Sequence, residues 1–141
     1  MATKYIPIYN ISSSVGRGCA NQQEDVMLVQ FFLSRIAAGG SLPIKPPSMK
    51  LNMDGRFDDN MHNWIIWFQG ACHIKGRQNS IDGKLTPATG KMIDGDSTIM
   101  HLNASYRNRY GKQHDRLEED GALPGLLKTK FETDSKKYRR N

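Results

Sequence analysis

The sequence predicts a mainly α protein: a small three-helix bundle with one helix added on its C-terminal side and flexible arms. Three observations carry this. Apolar residues recur at intervals of three and four in separate stretches between Asn21 and Tyr110. Asp-Gly and Gly-Gly pairs punctuate those stretches, and the segments outside them lose the periodicity. The chain has 141 residues, 38% hydrophobic and 24% charged, which suits one domain with a core and excludes a large enzyme with separate cofactor and substrate domains. Residues 1–13 read as an extended arm, 14–111 as the helical domain, and 112–141 as a polar linker with a basic tail.

The opening Tyr5-Ile6-Pro7-Ile8-Tyr9-Asn10-Ile11 alternates only in part and holds a proline, which suits an extended arm better than a central strand. A Ser12–Ser14 run and the turn Gly16-Arg17-Gly18 follow. Helical spacing begins at Asn21, a candidate cap, with Val26, Val29, Leu33 and Ile36 on one face and Phe32 beside them. Glu24 and Asp25 suit the positive end of that helix, and Gly39-Gly40 stops it. After a loop with three prolines, Met61, Trp64, Ile65 and Phe68 form the stripe of a second helix from about Asp58 to Cys72, with Asp58 as its cap. Thr86-Pro87 is the expected start of a short third helix ending near Ile93. A fourth, about Ser97 to Tyr110, aligns Ile99, Leu102 and Tyr106, with Gly111 as its C-terminal stop.

No apolar run approaches the roughly 20 residues of a membrane-spanning helix. The first residues lack the apolar stretch of a signal peptide, so the expectation is a protein made in the cytoplasm. It would then leave by a leaderless route and reach periplasm or cell wall after delivery. Cys19 and Cys72 are too few for a disulfide framework and read as free thiols, one bridge being the alternative. His62, His73, His101 and His114 form no H-x-x-x-H unit, which favours structural or surface roles over a metal site. Nucleophile, phosphate-loop and dinucleotide motifs are missing, and Glu24, Glu118 and Glu119 fall in no recognisable cleft pattern. The expectation is a non-catalytic protein with no metal and no cofactor.

The net charge of +6 suggests an anionic partner, but its placement weakens that inference. Residues 128–141 hold six basic side chains against Glu132 and Asp134, so four of the six net charges lie in the tail. Lys136-Lys137-Tyr138-Arg139-Arg140 fits charge-driven contact with nucleic acid or an anionic surface. Without an accompanying recognition motif, a solubilising end is preferred.

The most specific pattern is a repeated device. Asp54-Gly55-Arg56-Phe57 and Asp82-Gly83-Lys84-Leu85 each join an Asp-Gly turn to an apolar anchor, and Phe68-Gln69 lies between them. Glycine accepts positive φ, aspartate bonds the local backbone, and the anchor sets where the next helix packs. These residues resemble the peptidoglycan-binding domain family, the small three-helix modules attached to bacterial and phage cell-wall enzymes. Asp25-Val26, Val29-Gln30 and Leu33 match the family's D-V-x-x-V-Q-x-x-L. Asp54, Gly55, Phe57, Ile65, Phe68 and Gln69 match its D-G-x-F and F-Q pattern, and Asp82, Gly83 and Thr89 its second D-G turn. The match runs from about Ser14 to Ile93. Asp58 and Thr86 replace family glycines, Met61 a threonine and Trp64 a small alanine.

The resemblance implies a peptidoglycan-binding or wall-targeting module, within a phage or type VI secretion-like delivery system. The alternative is a protein–protein adaptor of an injection apparatus that keeps the fold without binding glycan. Candidate ligand residues are Arg56, for a peptide carboxylate, and Asn60, Asn63, Trp67 and Gln69. Trp67 lies off the apolar stripe, so an exposed indole flanked by amides would stack on a sugar ring; the competing expectation packs it beneath the arm or the fourth helix.

Overall fold

The computed structural model describes residues 6–40, 42–76, 80–88, 97–115, 117, 121, 123–133 and 138–140, and it is mainly helical. Its long helices are α1 (Gln23–Gly39), α2 (Asp59–Ile74) and α3 (Thr98–Arg109). Short helices α4 (Gly111–Asp115) and α5 (Gly125–Thr133) follow, and β1 (Ile6–Ile8) pairs antiparallel with β2 (Tyr138–Arg140).

Helix α1 is the centre of the molecule, packing against α2, α3 and α5. Every residue from Asp25 to Leu33, and Ile36, is buried, as expected of a helix covered on all sides. It ends as the glycines predict, with Gly40 left-handed at φ 68° and its N–H donating to Ala37 C=O. Its start differs. Gln22 is the boundary residue, and Asn21 instead adopts φ 51° and closes the preceding loop. The Asn21 side chain accepts Gly16 N–H at 2.8 Å and donates to the Gly16 and Cys19 carbonyls. Asp25 also does more than complement a dipole: its buried carboxylate accepts Ser12 N–H, Ser13 N–H and the Ser13 hydroxyl, tying the N-terminal segment to α1.

Helix α2 starts as predicted, Asp58 accepting Met61 N–H at 2.8 Å, and its Met61, Trp64, Ile65 and Phe68 stripe enters the core. The expected third helix falls mostly outside the described residues. Thr86, Pro87 and Ala88 are not helical, and Leu85 just before them forms a bridge with Val15. Helix α3 matches the fourth predicted helix, with Ser97 and Tyr110 at its boundaries. Gly111 is not its stop; it opens α4, whose His114 N–H donates to Tyr110 C=O.

The flanks are more built in than arms and a tail. Tyr9, Ile11, Leu117, Leu123 and Leu127 belong to the same core cluster as the long helices. Asn103 of α3 joins both ends: it accepts Tyr9 N–H at 2.9 Å, donates to Tyr9 C=O, and bonds His114 Nε2 at 3.0 Å. Because the Asn103 amide nitrogen already donates to two carbonyls, its oxygen must face His114, whose Nε2 therefore carries the proton. Leu117 N–H donates to the Tyr9 hydroxyl across 108 positions of sequence. Sequence spacing hid these contacts, since each joins single residues far apart in the chain and outside any helical stripe they share.

Candidate functional site

Two glutamines build the frame. Gln30 on α1 accepts Gly55 N–H at 2.9 Å and donates to the Asp54 carboxylate and Arg56 C=O, both at 3.1 Å. Gln69 on α2 accepts Gly83 N–H at 2.8 Å and Asp82 N–H at 3.1 Å, and donates to Asp82, Lys84 C=O and the Thr98 hydroxyl. Each amide reads the full edge of one Asp-Gly turn. Within each turn the aspartate also accepts the N–H two residues on, at 3.0 Å from Arg56 and from Lys84.

The two halves match further. Gly55 and Gly83 have φ of 72° and 73°, and a Cβ on either would collide with its helix: at Gly55 with Gln23, at Gly83 with His62 Cε1 at 2.5 Å. Gln23 and His62 each stand seven residues before their clamping glutamine, two helical turns away on the same face. The Arg56 amide holds the Asp54 carboxyl below its usual value, assisted by Gln30 against a cost of burial.

The expected ligand residues separate. Gln69 is fully buried and its amide is occupied by the second turn. Trp67 is also buried, at 7% exposure, and what the structure sets against it is the proline-rich loop at Leu42, Ile44 and Pro46. Its indole N–H donates to Ile44 C=O at 2.8 Å, Trp64 donates to Met49 C=O at 2.9 Å, and Asn60 donates to Lys50 C=O at 3.0 Å. Asn60, Trp64 and Trp67 thus form one row on α2 that staples the proline-rich loop 42–50 through its own carbonyls. The two indoles meet edge to face, 5.5 Å apart. An exposed sugar platform at Trp67 is therefore corrected. The indole lines a pocket of about 150 Å³ with Ile36, Leu42, Ile44 and Lys45, at the end of α1.

Arg56 and Asn63 remain exposed. Asn63 lies on the outer face of α2 with Asp59, His62 and Ile66, where Asp59 pairs with Arg17 at 3.0 Å and His62 abuts Gly83. Sequence reasoning missed Gln30, Gln23 and His62 as parts of this frame; the signal was glutamine directly after an apolar helix residue in both Val29-Gln30 and Phe68-Gln69. Cys19 and Cys72 are free thiols. Among the described residues no three His, Cys, Asp or Glu side chains gather as a metal site, and no helix is long and apolar enough to cross a membrane. No known protein family, curated protein or solved structure matches the chain.

Proposed function

We propose that this protein is a non-catalytic module of the peptidoglycan-binding type, contacting cell wall through the outer face of α2 and the first Asp-Gly turn. The supporting observation is the pair of glutamine-clamped turns. The residues that carry the family resemblance, Gln30 with Asp54-Gly55 and Gln69 with Asp82-Gly83, are the residues that lock the frame. On this reading Arg56 meets a stem-peptide carboxylate and Asn63 a sugar substituent, with His62 and Ile66 flooring the contact. Delivery by a phage or type VI-like apparatus belongs to the same proposal.

The test is co-sedimentation with purified peptidoglycan sacculi across a salt series. Wild type should sediment, and Arg56→Ala with Asn63→Ala should reduce the bound fraction at every salt concentration. Absence of wild-type sedimentation overturns the reading.

One observation favours the adaptor instead. Both indoles are spent on the protein's own loop, which removes the aromatic platform that sugar rings favour, while Ile74 and Ile81 stand 64% and 48% exposed. A protein partner would cover that apolar surface, and Ile74→Ser with Ile81→Ser would then abolish binding without altering the fold.

A further inference from the structure

Arg35, Arg109 and Tyr110 form a second feature away from the Asp-Gly turns. Arg35 Cζ lies 4.8 Å from the centroid of the Tyr110 ring, and Arg109 Cζ lies 5.9 Å from it. Both distances fall within the reach of a cation–π contact. The Tyr110 hydroxyl donates to the Arg35 carbonyl at 3.3 Å, which fixes the ring against α1. Arg109 packs directly on Gly39, where an added Cβ would stand 3.2 Å from Arg109 Cγ and 3.4 Å from its Nε. Arg35 and Gly39 are four residues apart on α1 and share a face, so Arg109, lying against Gly39, reaches the α1 face that carries Arg35, and both guanidiniums meet the one Tyr110 ring.

Neither guanidinium makes a hydrogen bond or ion pair among the described residues, and Arg35 Nε is shut off from solvent without an acceptor. Two like charges on one ring, with no acidic partner among the described residues, are mutually repulsive. Helix C-termini attract cations in general, but that needs one side chain per helix end and does not require both to share a ring. A guanidinium presents five N–H donors in a planar fork that matches an oxyanion, and stacking on tyrosine removes the rotamer freedom that binding would otherwise cost.

We propose that Arg35, Arg109 and Tyr110 form a binding site for the phosphate group of a ligand, separate from the α2 face. The test is NMR titration of the arginine Nε–H signals with inorganic phosphate at constant ionic strength. Saturable shifts confined to Arg35 and Arg109 are expected. Arg109→Gln, at an exposed position, and Arg35→Lys, which keeps the charge but loses the fork, should each weaken binding by about tenfold or more. Arg17→Gln, paired with Asp59 elsewhere, should change it little. Shifts that never saturate, or an equal loss in Arg17→Gln, overturn the site. Parallel titrations with glycerol 3-phosphate and dimethyl phosphate identify a monoester or a diester source by which saturates first; saturation by neither also overturns it.

Discussion

Gln69 accepts the Gly83 N–H at 2.8 Å from within α2, while the same amide donates onward to the Lys84 carbonyl. One side chain thereby satisfies the backbone of a turn that carries no helix or sheet bonds of its own. The equivalent pairing of Gln30 with Gly55 makes this the organising contact of both halves.

Removing either amide should therefore cost far more than a surface polar residue. Gln69→Ala leaves buried N–H and C=O groups without partners, and a loss of about 3 kcal/mol is expected. Gln69→Glu should be worse, since a carboxylate would face the Asp82 carboxylate and the Lys84 carbonyl. Urea denaturation of the two variants checks both the size and the order.

Gly18, Gly55 and Gly83 share nearly the same φ and differ in surroundings. Gly18, at 73°, has nothing near its absent Cβ, whereas Gly55 and Gly83 face Gln23 and His62. Gly18→Ala should cost about 1 kcal/mol, the intrinsic penalty of a left-handed residue. Gly55→Ala and Gly83→Ala should cost clearly more, and thermal unfolding of the three separates conformation from collision.

Trp67→Phe keeps an aromatic ring but loses the donor to Ile44 C=O. About 1–2 kcal/mol should be lost, and loop 42–50 should open locally before the helices do. Faster tryptic cleavage after Lys50, with unchanged helical circular dichroism, is the expected result.

The fold holds Asp54 in its ionised, hydrogen-bonded form, so its carboxyl lies below the ordinary 3.8. A lowered folded value means the contribution is complete above the unfolded pKa and is lost as pH falls through the folded one. Asp54→Asn should thus lower stability at neutral pH, where the contribution is complete, and flatten the acid limb below pH 3.8, so that the two profiles converge in acid. Unfolding midpoints measured from pH 2 to 7 test this.

Much of the frame was legible because it rests on local rules. Asp58 and Gly40 bounded helices as their chemistry dictates, and the Ile99, Leu102 and Tyr106 spacing placed α3. Trp67 was misjudged because its cover is a loop without periodicity, contributed by residues more than twenty positions earlier. Gln69 looked like a ligand residue because a buried amide is recognisable only from its acceptors, which lie on another segment. The segment beyond Gly111 looked like linker because Leu117 stands alone among charges and the patch around Leu127 is too short to show a period.

The Tyr9–Asn103–Leu117 junction sets an order on biogenesis. A chain emerging from the ribosome presents Tyr9 early, yet its backbone partners lie 94 positions later and its hydroxyl partner 108 positions later. Helices α1 and α2 can pair while Tyr9 waits, so closure of this clasp should follow the emergence of Asn103 and Leu117. Ribosome-stalled chains ending before Asn103 should be cut readily near Tyr9, and chains released with Asn103 and Leu117 in place should resist.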